Sequence, residues 1–565
     1  MQWRSLIPTW AFDAMGDVRL AMSEVQAGVM MAILVIPQSL GYAALAGLPP
    51  IMGLYTAIVP VMVYAWINSS STSSVGPVAI TAIMTAGALS NYAGGSLQYI
   101  QLAVTLACMV GVILCLSSIM RLGWIMQFVS RGVSAGFISG AAVLIMFSQV
   151  KHLLGIPLVG DNLMTLIATG MTNTKPVHTA TIIVGLGALL LLIISRYGSR
   201  IVWGWLPAKY QGFANRFFVI VLVAASIWLS HHWELGAQGV NVLSDLPTGL
   251  PSLTLPTLSI STLLELLPSA LLIALVAFIS SSTIASQQAR LRKQPYSDNK
   301  ELLGLGLANV ASGLFGGFAV ASGISRTGLN LSVGSKSQLS SMVCAFGVLL
   351  IVLFLGKMLV GLPYAILAAI ITSSVISMVD IETLKQAWRL DKIDALCFII
   401  TFIICIVSGL NMGLVAGLLA SFALMVYRTH KVHIATLGRV GDSEHFRNIE
   451  RHQVTTFDGV LLLRIDESLY FGNAKTVHDD LLKLIESPDV RDVVLVMTAV
   501  NHIDLSAQEM LEDLNQECRQ QDKCLHLAEV KGPVMDVLAG SPVMQSLSGQ
   551  VFLSVNLAVQ ALKRS

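Results

Sequence analysis

Long apolar stretches fill the chain as far as about residue 430, and a mixed polar pattern takes over near Val440. From Val25 to Met120 there is no Asp, Glu, Lys or Arg. A bilayer-crossing helix needs about 20 apolar residues, so that stretch holds several crossings. Apolar runs lie near 25–47, 51–68, 75–91, 99–120, 130–150, 178–196, 213–231, 266–285, 302–320, 325–333, 338–356, 361–379, 394–409 and 411–427. They predict an α-helical polytopic domain of about 14 segments, two or three of them too short to span. Beyond them the period changes. "GVLLLRI", "DVVLVMTA", "CLHLAEV" and "QVFLSV" read as strands. "AKTVHDDLLKLIE", "SAQEMLEDLNQECRQ", "PVMDVLA" and "NLAVQALKR" read as helices of a soluble α/β domain. The predicted division is a membrane domain over 1–435 and a cytoplasmic domain over 436–565.

Two segments interrupt their own pattern. In "NSSSTSSVGPVAITAIMTAGALS", residues 68–90, a Ser/Thr run leads through Gly76 and Pro77 into a short apolar helix. Proline suits a helix start, where its missing N–H would be unpaired anyway. In "GGFAVASGISRTGLNLSVGSKSQLSS", residues 316–341, small residues precede a short helix beginning near Ser325 and Arg326. Non-helical backbone at membrane depth is tolerated only where it lines a cavity or is buried in protein. Paired interruptions in the two halves of a chain mark the binding site of an inverted-repeat transporter. These two fall in the third and tenth segments, seven apart. Facing half-helix starts offer unpaired N–H groups and positive dipole ends, which favour an anion. Arg326 adds a full charge, at a cost of at least ~2.5 kcal/mol inside a bilayer. The competing reading has Arg326 reaching a membrane edge or pairing structurally.

Composition agrees with the pattern. Of 565 residues, 55% are hydrophobic and 12% charged, against roughly 25% charged in soluble domains. Mean hydropathy is +0.74. A net charge of +2 argues against a nucleic-acid partner. Lys and Arg gather before the first apolar run and after the fourth, sixth, eighth, twelfth and last, after an even number of crossings, with Lys151, Lys175 and Lys357 as exceptions that the bias tolerates. Both termini are therefore expected in the cytoplasm, with the protein in an inner or plasma membrane. The N-terminal stretch lacks a cleavable-signal pattern. The seven cysteines form no C-x-x-C and read as packing residues. There is no metal-ligand cluster, phosphate-binding loop or nucleophile–base pair, so neither an enzyme nor a cofactor is expected.

At "IPQSLGYAALAGLPPIMGLYTAIVP", "SVGPVAI", "DNKELLGLGLANVASGLFGGF" and "SGISRTGLNLSVGSKSQLS" the chain resembles the SulP anion transporters, the sulfate-permease family. "VLLLRIDESLYFGNAKTV" and "VNHIDLSAQEML" resemble a STAS domain. The resemblance implies a uracil-permease-like fold of 7+7 inverted repeats, a moving core against a gate, and a homodimer. It implies an anion held between the third and tenth segments and faced by the first. Carried onto this sequence, it makes Gln38, Tyr42, Val78, Ser325 and Arg326 substrate-binding residues. Gln38 would donate to the anion and Tyr42 would wall the cavity. Ser325 and its neighbouring N–H groups would bind the oxyanion, and Arg326 would attract it. Gln38 and Tyr42, four apart, share one helix face. Each has a plainer alternative: Gln38 bonding carbonyls freed by Pro37, Tyr42 packing, Ser325 capping a helix.

Departures from the family pattern are informative. Ser280 stands in the eighth segment where relatives carry a carboxylate, the usual proton or cation carrier. Ser71 stands at a position that is often basic. In the tail, Asp504 is followed by Leu505 rather than a phosphorylatable Ser, leaving Ser506 as a weak candidate or a helix cap. The STAS resemblance implies a regulatory or docking module rather than an enzyme, with a cytoplasmic protein as a candidate partner. The expected function is secondary or exchange transport of a small anion, sulfate first, with bicarbonate, chloride and dicarboxylates also fitting. The alternative is a non-transporting anion sensor or scaffold that signals through the tail. A nucleobase symporter of the same fold is disfavoured, because a neutral base needs no cationic site.

Overall fold

Asp17 caps the first helix, α1 (Val18–Leu45), its carboxylate accepting from the N–H groups of Arg19 and Leu20 at 2.9 and 3.2 Å. The computed structural model describes residues 17–563 apart from 68–69, 91, 93–94, 125–128, 157, 159, 161, 173–176, 198–207 and 244–248. Side chains are also outside the description at 208–213, 215–216, 324–325, 329 and 332. α1 continues through Pro37 without a break. Pro49 and Pro50 then stop and restart the chain, as caps and first turns allow: Pro50 opens α2 (Pro50–Thr56), and α3 (Val59–Ile67) continues it.

The third segment is a two-residue strand, β1 (Val75–Gly76), followed by α4 (Ala79–Ala88). α5 (Leu97–Ile119), α6 (Arg131–Leu154), α7 (Leu163–Thr172), α8 (Thr179–Tyr197) and α9 (Ala208–His232) complete the first half. The second half begins with α10 (Ile260–Arg292) and α11 (Asp298–Leu314). Strand β2 (Ala321–Ser322) leads into α12 (Ile324–Ser332). Then come α13 (Leu339–Leu350), α14 (Tyr364–Val375), α15 (Ile381–Leu390), α16 (Lys392–Ser408) and α17 (Leu410–His430). Among the described residues, nine helical stretches are long and apolar enough to cross a membrane.

With α7 and α15 set aside as short additions, fourteen segments remain, and their packing repeats with a period of seven. α5 packs on α10 and α11; its counterpart α13 packs on α1 and α3. α6 packs on α16; its counterpart α14 packs on α8. Small residues permit the closest of these contacts: a Cβ at Gly306 of α11 would lie 2.7 Å from Sγ of Cys115 and 2.8 Å from its backbone nitrogen on α5.

The second compact unit covers Phe422–Ser565. Its six-stranded sheet has the order β4-β3-β5-β6-β7-β8. The strands are β3 (Ile434–Arg439), β4 (Phe446–Asn448), β5 (Val460–Ile465), β6 (Asp492–Val496), β7 (Cys524–Ala528) and β8 (Val551–Phe552). β5 to β8 run parallel, and β3 is antiparallel to both β4 and β5. The parallel strands and the helices α18 (Ala474–Ile485), α19 (Leu505–Gln520), α20 (Gly532–Ala539) and α22 (Val555–Leu562) follow the sequence reading. The antiparallel pair β3–β4 and the one-turn α21 (Pro542–Ser546) add to it. One expectation is corrected: Asp504, not Ser506, caps α19, its Oδ1 accepting from the Ala507 N–H at 3.0 Å.

Candidate functional site

The two interrupted segments meet. β1 pairs antiparallel with β2, Val75 opposite Ser322 and Gly76 opposite Ala321. Two residues of ladder cannot satisfy this much buried non-helical backbone, and polar side chains supply the rest. Asn309 accepts from the Val320 N–H at 2.9 Å and donates to the Val320 carbonyl at 3.0 Å. Ser281 accepts from the Ser322 N–H at 2.9 Å. Gln338 donates to the carbonyls of Ser70 and Ser73 at 2.9 and 2.7 Å, and Asn330 to that of Thr72 at 3.2 Å. Ser71, at the often basic position, donates to the Gln294 side chain at 2.6 Å.

This scaffold places the short helices α4 and α12 where their first turns converge. The sequence reading begins the first of them at Gly76–Pro77; the helix begins at Ala79, because Gly76 is engaged in β1 and Val78 is the extended cap residue. Val78 has no side chain with which to cap, so no side-chain hydrogen bond closes this helix start. α12 opens at Ile324, two residues after β2.

Between the helix starts lies a cavity of about 40 Å³. A water needs roughly 10–15 Å³ on this measure, so the space suits a small ion. Gln38 and Tyr42 of α1, Pro77, Val78 and the first turn of α4, and Gly323 and Arg326 of the second interrupted segment line it. Val276, Ser280 and Ile284, spaced by four along one face of α10, form another wall. Ile138 of α6 and Met378 beyond α14 close the remaining side.

Arg326 is the charged residue of this lining, and it is 4% exposed. Its Nε donates to the Ser74 hydroxyl at 3.1 Å, while its buried Nη2 has no hydrogen-bond partner among the described residues. Among the described residues no carboxylate pairs with it. The guanidinium packs closely against Gly76: a Cβ there would fall 2.5 Å from Cζ of Arg326, so the site requires glycine. Among the described residues Gln38 and Tyr42 make no side-chain hydrogen bond, and none joins Gln38 to the carbonyls near Pro37. Ser280 faces the cavity and turns its hydroxyl back to the Ala277 carbonyl at 3.2 Å.

Of the residues singled out in the sequence, Gln38, Tyr42, Pro77, Val78, Ser280 and Arg326 line one cavity, and Gly76 lies against it through Arg326. The side chain of Ser325 lies outside the described residues; its backbone is in the first turn of α12. Sequence reasoning missed Thr81, Ser322, Ile138, Val276 and Met378. Val276 was within reach, one helical turn from Ser280, whereas Ile138 and Met378 carry no local signal and arrive only through packing.

Residues 22–401 match the family model described as the Sulfate permease family, and residues 451–558 match the STAS domain. Sulfate transporter 4.1, chloroplastic, from Arabidopsis thaliana is 31% identical over 552 residues, covering 95% of this chain and 79% of that protein. The murine Solute Carrier 26 family member A9 anion transporter, solved in an inward-facing state, has a similar structure with a TM-score of 0.87 at 19% identity, covering 99% of this chain and 94% of that one. The transmembrane domain of BicA, a cyanobacterium bicarbonate transporter, gives a TM-score of 0.59 at 21% identity over 72% of this chain and 98% of its own. The shared fold is the helical 7+7 repeat, and the tail is a STAS domain.

Proposed function

The chain belongs to the sulfate permease family, and from that premise we propose that it moves a small anion, inorganic sulfate foremost, across a membrane by alternating access. One observation carries the reading: a buried arginine with no carboxylate partner, its Nη2 unpaired, in a cavity the size of an ion. An unpaired buried charge costs several kcal/mol, and an anion in the cavity removes that cost. Gln38, Tyr42 and the open start of α4 offer donors around the same space, with Val78 and Ser325 at the two helix starts. The tetrahedral oxyanion, bicarbonate, chloride and dicarboxylates all satisfy this donor set, and the sulfate transporters among the relatives favour the first.

Ser280 puts a neutral hydroxyl where a coupling carboxylate would stand, so in this reading the protein exchanges anions, conducts them passively or couples through another group. We place both termini in the cytoplasm of an inner or plasma membrane, from the Lys and Arg distribution. From the sequence pattern we divide the domains at 435/436, within β3, whereas the compact unit that holds this sheet begins at Phe422. The family resemblance adds a homodimer and a cytoplasmic protein docked on the STAS domain. A purely sensory role is not favoured, because the named relatives are transporters.

Labelled sulfate uptake into proteoliposomes, competed by unlabelled chloride, bicarbonate and dicarboxylates, tests the reading. It predicts saturable sulfate uptake that a subset of these anions suppresses. Absence of flux for every anion in the panel would return the protein to the sensor class.

A further inference from the structure

A second cavity, of about 580 Å³, lies further along the helices that form the first. Three elements line both. On α4, Val78 to Thr81 face the Arg326 cavity, while Ile83, Met84 and Gly87 face the second. On α1, Gln38 and Tyr42 give way to Leu45. On α6, Ile138 lines the first cavity, and Ser148 and Lys151 line the second. From Ile138 to Lys151 the helix advances roughly 20 Å at 1.5 Å per residue. The two spaces are thus successive stations along α1, α4 and α6, with the buried Ala82 of α4 between the residues that line each.

The second cavity also has cationic character. Lys151 is the charged residue among its described lining, and no described lining residue is acidic. Among the described residues its ammonium has no hydrogen-bond or ion-pair partner. The first turn of α17, Leu410 to Met412, brings one positive helix end to the space, while the last turns of α1, α4, α6 and α16 bring negative ones, so the positive charge of this cavity rests on Lys151. A plainer account exists: Lys151 sits in the last turn of α6, where any cation favours the helix dipole. That account explains neither the cavity nor its alignment with Arg326.

We propose that the Lys151 cavity is a capture site at the external mouth, where a small anion rests before it passes to Arg326. The inference builds on the transport reading and on the orientation given above, which together put the end of α6 outside. A cation in a low-dielectric cleft concentrates anions locally and speeds their entry. Lys151 then sets how well anions are taken from the outer face, and Arg326 sets binding at the centre.

Sulfate uptake by the full-length protein in proteoliposomes tests this when the sulfate is presented separately to each face. The comparison is wild type, Lys151→Gln and Lys151→Arg, at low and high ionic strength. Measured as exchange against saturating sulfate on the far side, Lys151→Gln should raise the half-saturation concentration on the Lys151 face by roughly ten-fold at low salt, leave the maximal rate and the opposite face near wild type, and flatten the salt dependence. Lys151→Arg should retain wild-type values on both faces. An unchanged half-saturation on the Lys151 face, or an equal change on both faces as a helix-capping role would produce, overturns the capture site while leaving transport intact. A wild-type protein that moves sulfate from neither face overturns the transport reading and the capture site together.

Discussion

Gln38 and Arg326 lie 288 positions apart in the chain and line the same 40 Å³ of space. Both were legible in the sequence because each breaks a local rule. A lone amide interrupts an apolar helix, and an arginine opens a helix too short to span. Residues that obey the local rule, such as Ile138 and Met378, carried no such mark, although they close the same cavity. Ser280 was legible only as a departure from relatives, and the structure gives it a position. It faces the cavity on α10, between Val276 and Ile284. A carboxylate placed there would sit in the cavity with Arg326 and would have to bind a proton or a cation as the anion enters. Ser280→Glu should therefore make sulfate uptake depend on external pH or sodium. Uptake by the variant with the wild type's pH and sodium profile would contradict this role for the position.

The interrupted segments show where sequence reading stops. Gly, Ser and Thr runs marked both breaks, and the helix dipoles followed from them. The pairing of β1 with β2 was not legible, because it joins residues about 245 positions apart through a two-residue ladder with no periodic pattern. Also hidden were the side chains that hold the unwound backbone. Asn309 reads as one polar residue in "LGLANVASGLFGG", yet it satisfies both backbone groups of Val320. Asn309→Leu leaves an N–H and a carbonyl unmatched at membrane depth, each worth about 1–3 kcal/mol. The detergent-solubilised variant should unfold at a clearly lower temperature than wild type, and an unshifted midpoint would show that Asn309 does not support the break. The helices α7 and α15 were missed for a different reason. α15, "IETLKQAWRL", has no apolar run, and α7 is only a 10-residue stretch beside polar residues. Both escape a search tuned to spans of about 20 residues.

The whole molecule follows from repetition. Fourteen segments repeat their packing with a period of seven, α5 on α10 and α11 as α13 on α1 and α3. That symmetry lets one chain present two opposed half-helix starts to a single point. The cavity sits at a seam: α1, α4, α10 and α12 line it from one group of helices, and α6 and the turn after α14 from the other. Movement of one group past the other would open the seam to alternate sides while the two helix starts stay together. In this account the anion neutralises the guanidinium and takes the place of the missing protein partner. Since a buried charge stabilises the fold little, its removal should leave the protein folded. Direct measurement of sulfate binding to folded, detergent-solubilised Arg326→Ala, beside wild type and Arg326→Lys, is the most direct test. The account predicts that Ala weakens binding by roughly 10- to 100-fold, the worth of a charge-assisted hydrogen bond of about 1.5–3 kcal/mol, and that Lys recovers part of it. Wild-type affinity in the folded Ala variant would contradict the assignment of this cavity as the anion site.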